Sequence, residues 1–151
     1  MSAKSPSIYE YVIIESADRS RSIDISAACA TIEYFEDIYS PAITAKILVV
    51  NTGQSITGQD DKKLQSLYNG LPIRGGERVT FKISGNTESN PGLGFLKENA
   101  GDHLYVSSIT NVIRTSTRET FVLNLVSREA LTNETSRVGK KFLGLEVSKH
   151  V

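Results

Sequence analysis

The stretch AITAKILVVN, residues 42 to 51, decides the fold class of this chain. Apolar side chains stand at every second position, which is typical of a β-strand: Ile43, Ala45, Ile47 and Val49. Leu48 and Val50 are also apolar but fall on the opposite face of the same strand. Because a strand with one solvated face alternates apolar with polar residues, this strand predicts a sheet that is covered on both sides. One of the two covers would be another sheet or another subunit.

Five more segments share this period and complete a prediction of six strands. They lie at residues 7–14, 22–37, 78–84, 103–113 and 119–127. In the second of them the apolar phase moves from Ile23 and Ile25 to Ile32 and Tyr34 across residues 27–30, which predicts a bulge or bend. Strands joined by short polar turns predict a mainly β fold, an antiparallel six-stranded β-barrel or sandwich.

Two segments are predicted to be short helices, residues 60–68 and 127–142. The first carries apolar side chains at helical spacing: Leu64, Leu67 and Tyr68. The second begins at Ser127, a residue type that caps helices, and is expected to end at Gly139. Residues 85–94 are rich in Gly, Asn and Ser and predict a loop.

Length and composition indicate one globular domain. The chain has 151 residues, of which 39% are hydrophobic and 23% are charged. We expect residues 1–142 to form the β domain and residues 143–151 to be an extension, which starts a further domain or contacts a subunit. Lys+Arg and Asp+Glu number 17 each, so there is no basic excess with which to coat nucleic acid. A net charge near zero also does little to keep copies apart.

The termini and the single cysteine suggest where the protein is made. MSAKSPS is followed by no apolar segment of the secretory type, and the run ILVV at residues 47–50 is too short to cross a bilayer. We therefore expect a soluble protein made in a cytoplasm, without a membrane partner. Cys29 is the only cysteine, which excludes an intramolecular disulfide and a multi-cysteine zinc site.

The sequence Arg74-Gly75-Gly76-Glu77-Arg78 could be a small anion cradle or a turn. A phosphate-binding loop places its glycines between a strand and the amino end of a helix. Here the glycines follow Pro72 and precede a predicted strand, so no helix terminus is at hand. The pattern predicts a tight turn in which glycine adopts a positive φ.

The other candidate groups form no catalytic or metal-binding constellation. His103 and His150 are far apart and lack the spacing of zinc ligands. Glu33, Glu36 and Asp37 are the densest acidic cluster, and a solvated strand end and turn is the simplest interpretation of them. Cys29 stands among alanines and is expected to be a buried, unreactive thiol. We predict no enzyme, no catalytic residue, no metal and no cofactor.

A second hypothesis is a soluble β-sandwich module that binds carbohydrate or another small molecule. Such a module needs exposed aromatic side chains on one face. The chain has no tryptophan, so tyrosines would have to supply that face. They are Tyr9, Tyr11, Tyr34, Tyr39, Tyr68 and Tyr105.

Three segments together resemble one known family. They are IEYFEDIYSPAITAKILVVNTGQSI, LPIRGGERVTFKI and FVLNLVSREALTNETSRVGKKF. In this order they are similar to the amino-terminal region of the central baseplate hub protein of T-even-like contractile-tailed bacteriophages. The resembling motifs stand at residues 34–41, 71–77 and 121–140, and the likeness covers residues 8 to 142.

The resemblance implies a structural role in the virion. Proteins of that family form a homotrimer whose subunits each carry two tail-tube-like β-barrels, giving a pseudo-sixfold ring. The ring joins the tail tube to the central spike, and DNA passes through its lumen without sequence-specific binding. Family members are considerably longer than this chain, which has room for one tube-like domain and its following helix. The resemblance therefore implies a tail-tube-like barrel whose partners are copies of itself, tail tube and spike proteins.

Overall fold

The structure is a computed structural model that describes residues 7–53, 56–57, 64–71, 73–87, 89–96, 103–137 and 139. Within these ranges the chain forms the strands β1 (Ile8–Glu15), β2 (Ser22–Asp24), β3 (Cys29–Phe35), β4 (Thr44–Thr52), β5 (Ile56–Thr57), β6 (Leu64–Gln65), β7 (Arg78–Ser84), β8 (Leu93–Phe95), β9 (Leu104–Arg114) and β10 (Arg118–Ser127). The helices are α1 (Leu67–Gly70) and α2 (Arg128–Thr135). In the part of the chain described, neither helix is long and apolar enough to span a bilayer.

Eight strands form one antiparallel sheet, which confirms the predicted mainly β class. The order is β2-β1-β7-β9-β10-β4-β3, and β8 pairs with β7 beside β9. The short strands β5 and β6 form a separate hairpin. The large sheet is not closed by hydrogen bonds between its edge strands.

The two edge strands, β2 and β3, are consecutive in sequence and are separated by the 3-10 turn Ser26–Ala28. The turn is attached to β1, because the Val12 N–H donates to Ser26 Oγ at 2.7 Å and the Ile25 N–H donates to the Val12 carbonyl at 2.8 Å. The bend predicted within residues 22–37 is thus confirmed. The bend divides the predicted second strand into β2 and β3, because the 3-10 turn connects one edge of the sheet to the other.

The core lies on one face of the curved sheet. Alternate residues of the long strands are fully buried there, and the largest are Phe81 of β7 and Phe121 of β10. The other buried apolar residues of these strands are Val12, Ile14, Ala45, Ile47, Val49, Val79, Leu104, Val106, Leu123 and Leu125. The segment between α1 and β7 adds Leu71 and Ile73 to the same cluster. One continuous core of this size supports a single folded unit.

The prediction of six strands needs correction. All six predicted segments contain strands, but the second is split in two, and three short strands were not predicted. β5, β6 and β8 have only two or three residues each, too few to show a period. β8 begins inside the predicted loop 85–94, because Phe95 packs on Phe81 with ring centroids 5.0 Å apart.

Both predicted helices exist but with different bounds. Residues 60–63 of the first lie outside the described residues, and Leu64 and Gln65 pair with β5 instead of joining the helix. Helix α1 begins at Leu67, because Ser66 caps it by accepting from the Asn69 N–H. Helix α2 ends at Thr135, before Gly139. Thr132 and Thr135 donate their hydroxyls back to the carbonyls of Arg128 and Leu131, a bonding mode that disfavours further helix.

The predicted cap at Ser127 is only half right. Ser127 occupies the N-cap position of α2, but its hydroxyl does not accept from an N–H of the helix. It accepts instead from the Ile43 N–H at 3.2 Å, while the Ser127 N–H donates to the Ile43 carbonyl at 2.9 Å. Ser127 therefore ties the end of β10 to the residue before β4. Residues 140–151, including the predicted extension 143–151, lie outside the described residues.

Candidate functional site

The double-glycine segment is a turn, as predicted, and it also forms an anion cradle of an unexpected kind. Gly75 and Gly76 have φ of 109° and 86°. The N–H groups of Arg74 and Gly75 both point at one carboxylate, that of Glu77, at 2.7 and 2.9 Å. Glu77 is only 2% exposed. The cradle is therefore filled by the chain itself, and its role is to fix the entry into β7 rather than to bind a ligand.

A second buried carboxylate, Glu119, was not predicted. It is 4% exposed, and its Oε1 accepts from Asn51 Nδ2 at 2.9 Å and from the Leu67 N–H at 2.6 Å. Its Oε2 is buried and accepts no hydrogen bond from the described residues. Glu119 thus links β10 to β4 and to the start of α1. The sequence did hold a signal, because Glu119 falls in phase with Phe121, which points into the core.

The histidines and carboxylates stay dispersed in the described structure. His103 is half-buried just before β9, and His150 lies outside the described residues. No three His, Cys, Asp or Glu side chains of the described ranges converge as metal ligands would. Glu33 lies opposite Lys46 on the outer face of β3 and β4, away from Glu36 and Asp37. The acidic cluster read from the sequence therefore divides between two surfaces.

Cys29 is half-buried at the start of β3. Burial raises the pKa of its thiol to about 11. Because the thiolate is the reactive form, the thiol is unreactive at neutral pH. Burial of Cys29 is therefore only partial, not complete as predicted, and the raised pKa keeps its sulfur in the thiol form at neutral pH.

The tyrosines do not form an exposed platform. Tyr39 alone is exposed, and the other five are half-buried. Tyr68 packs edge-on against Phe121, with Arg114 stacked 4.0 Å above its ring. Tyr34 packs against Phe95 and donates its hydroxyl to Glu36. Desolvation and the Glu36 carboxylate raise the pKa of Tyr34 to about 12.

The outer face of the sheet is the face that is turned away from the buried core. β3, β4, β10 and β9 lie side by side, and residues in register share this face. Its apolar members are half-buried or exposed: Leu48, Val50, Val122, Val126 and Phe35. A shallow hollow of about 310 Å³ on this face is lined by Leu48 and Val122 and by polar residues that include Glu33, Lys46 and Asn124. The predicted second apolar face of residues 42–51 is present as Leu48 and Val50, which are half-buried, and Val50 lies beside the 3-10 turn Ser26–Ala28.

Each end of this four-stranded segment carries exposed apolar side chains. At the end where β3 finishes and β4 begins, Ile38 and Tyr39 are both 93% exposed. At the opposite end, beside the β9–β10 hairpin, Val112 is 45% and Ile113 is 64% exposed. When two adjacent large apolar residues are both so exposed, they mark a contact site more often than a single exposed apolar residue does.

The chain was compared with protein-family models, with curated proteins and with solved structures, and none of the three comparisons gave a match. The resemblance to phage baseplate hub proteins therefore stands on the three quoted segments alone.

Proposed function

We propose that this chain is a structural component of a phage contractile-tail baseplate hub. In this proposal copies of the chain form a ring that joins the tail tube to the central spike and lets DNA pass. Its partners are itself, as a homotrimer or larger ring, and the tube and spike proteins. DNA contacts it only in transit, no membrane is involved, and its place is the virion tail after synthesis in the host cytoplasm.

One observation carries the proposal: the face of the sheet turned away from the core also holds apolar side chains among its polar ones, and they are only half-buried. The inner residues Ile47 and Val49 are 0% exposed, whereas their strand neighbours Leu48 and Val50 are half-buried on the outer face. At ~25 cal/mol per Å², covering several such side chains contributes several kcal/mol toward association before the costs of binding. A sheet of this kind is suited to assembly.

The positions of the resembling motifs also support the proposal. Residues 34–41 form the end of β3 and the turn that leads to β4. Residues 71–77 form the cradle loop before β7, and the described part of residues 121–140 spans β10 and α2. Each motif thus marks a junction between elements, where turn chemistry constrains sequence most.

We infer in addition that the sheet curls into a tail-tube-like barrel with six principal strands. The two edges are joined by the 3-10 turn Ser26–Ala28, which contacts both β1 and β4. Ile25 from this corner is 2% exposed and belongs to the same core as residues of the opposite edge. Among the described strands β3 pairs only with β4, so its other side offers backbone groups to which a neighbouring copy can add a strand.

The alternative, a ligand-binding β-sandwich, finds less support. Five of the six tyrosines are half-buried, which leaves Tyr39 as the one exposed tyrosine, and the hollow on the outer face is shallow. A saturable ligand found by a thermal-shift panel would reverse this preference.

The test is electron microscopy of the purified chain together with light scattering. The proposal predicts ring-shaped or trimeric particles for the wild type and loss of them for Leu48→Lys, which places a charge on the outer face. Ala17→Lys, in the exposed β1–β2 hairpin, is the matched control and is expected to assemble normally. A strictly monomeric wild type at high concentration, with no ring in micrographs, would refute the proposal.

A further inference from the structure

The end of the sheet that contains Ile38 and Tyr39 displays them on a braced turn. The Tyr39 N–H donates to Asp37 Oδ1 at 2.9 Å, and the Ser40 N–H donates to the Asp37 carbonyl at 3.0 Å. The Ser40 hydroxyl donates to the Ala42 carbonyl at 2.8 Å. Because these bonds hold the turn before any partner arrives, little conformational entropy is lost when it docks.

The cleft beside this turn is acidic, and the exposed Arg128 is next to Glu129 in sequence. The cleft has a volume of about 250 Å³ and is lined by the carboxylates of Glu36, Asp37 and Glu129, and none of its described lining residues is basic. We call this region, with Ile38 and Tyr39, the acidic end. A partner for it must present apolar surface flanked by positive charge.

The opposite end of the same strands has the complementary character. Val112 and Ile113 are exposed there, and Arg114 and Arg118 line a cleft of about 240 Å³. The one carboxylate among its described lining residues, Glu119, is buried and bonded internally through Oε1. We call this region the basic end.

The two ends cannot meet within one molecule. The register places Phe35 and Thr44 level with Val126 and Tyr105, and Arg114 level with Glu119 at the far side. The two levels are seven residues apart along β10, from Glu119 to Val126, which is about 24 Å at ~3.4 Å per residue. Within the described residues, the two ends of one molecule are therefore too far apart to contact each other.

We propose that the acidic end of one copy docks on the basic end of the next. The partner is a second copy because this chain itself carries both an apolar pair among carboxylates and an apolar pair among arginines. The contact joins unlike surfaces, so repeated docking gives a ring if the rotation closes and a filament if it does not. This inference rests on the proposed hub function and names the surfaces through which that ring is built.

A mixing experiment tests the contact directly. Ile38→Ser with Tyr39→Ser disables the acidic end, and Val112→Thr with Ile113→Thr disables the basic end. All four residues are exposed, and threonine keeps the β-branched character that strand β9 favours. Circular dichroism and thermal unfolding serve to establish that both variants fold as the wild type does.

We expect each variant alone to associate at least tenfold more weakly than the wild type, because truncating a central apolar anchor weakens an interface by about that factor or more. An equimolar mixture is expected to form a dimer and nothing larger, since one intact end of each kind remains. A variant that assembles like the wild type would overturn the inference. So would a mixture that stays monomeric under conditions where the wild type assembles.

Charge reversal provides an independent check. Glu36→Arg and Arg118→Glu are each expected to weaken association, and the two combined in one chain are expected to restore it. No recovery in the combined chain would count against pairing of these two ends.

The mixing and charge-reversal experiments together separate this inference from the proposed hub function. Wild-type rings that persist in every variant would overturn the contact alone, and open wild-type filaments lost in the variants would support the contact but contradict the ring. A monomeric wild type would overturn both.

Discussion

The carboxylate of Glu77 is expected to be a major stabilising group, and Glu77→Ala measures its effect. Its two oxygens accept from the N–H groups of Arg74 and Gly75, and the residue is 2% exposed. A hydrogen bond to a charged group contributes about 1.5–3 kcal/mol. Burying the carboxylate opposes part of this, so we take the lower figure for each bond and expect Glu77→Ala to lose about 3 kcal/mol.

The assay is urea unfolding followed by circular dichroism, with thermal unfolding alongside. For a chain of this length a loss of about 3 kcal/mol lowers Tm by roughly 6–12 °C. Glu77→Gln keeps one acceptor oxygen and is expected to fall between wild type and Glu77→Ala. The loss is expected at low and high salt alike, because a buried group is little screened.

Glu134→Ala is the matched control, since it removes an exposed carboxylate from α2. We expect it to change the free energy of unfolding by less than about 0.5 kcal/mol. A change equally small for Glu77→Ala would refute the reasoning, because the loop before β7 would then hold its shape without the carboxylate.

Three further predictions concern single residues. Gly76→Ala is expected to lower the free energy of unfolding by about 1–2 kcal/mol in the same assay. The whole loss comes from the φ of 86°, because nothing lies within 4 Å of an added Cβ. Gly76→Asn is expected to lose less, and equal losses in the two variants would contradict this reasoning. Hydrogen bonds from Ser16 and Ser20 lower the pKa of Asp18 to about 2 from 3.8, so its stabilisation is present above 3.8 and is lost as the pH falls through 2. A carboxyl NMR titration with a midpoint near the ordinary value would disprove that assignment. Burial raises the pKa of Cys29 from 9.0 to about 11, so the protein loses stability as the pH rises from 9.0 through 11. At about pH 8 the native Cys29 is expected to be alkylated about a hundredfold more slowly than Cys29 in the unfolded chain, because the thiolate is the reactive form. Equal alkylation rates would show that the thiol is accessible and ionised normally.

The long strands could be predicted from the sequence because their signal is local. In residues 78–84 Val79, Phe81 and Ile83 face one way, and the structure places β7 over the same residues. The bend after β2 was also visible, as a change of apolar phase. The two-residue strands β5 and β6 were not, because their pairing is too short to leave a pattern.

The burial of charged residues could not be predicted in the same way. The sequence predicted a tight turn at Gly75 and Gly76 but gave no sign that Glu77 is buried, because the N–H groups of Arg74 and Gly75 converge on its carboxylate only in the folded turn. Glu119 depends on Asn51, which is 68 residues away in sequence. No local pattern predicts such a contact. The sequence did show that Glu119 is two residues from Phe121 and therefore lies on the same face of β10. Strands could be predicted because alternation is a local pattern, whereas the burial of these carboxylates depends on contacts that are set by the folded chain.

The surfaces at the two ends of the sheet were only partly foreseeable. Residues 34–41 were singled out as a corner, and the structure shows that this corner projects Ile38 and Tyr39 into solvent. The matching basic end depends on the register of β9 with β10, which brings Arg114 beside Glu119 and Arg118. Sequence spacing suggests the hairpin, but the opposite placement of acid and base follows only from the sheet order.

The most direct test of the central claim is the molar mass of the wild-type chain measured by sedimentation across a wide range of concentration. If the outer face and the two unlike ends join copies of the chain, the molar mass rises to a defined multiple of the protomer mass and then stays constant. A mass that stays at one protomer throughout would contradict the claim that this sheet is built for assembly.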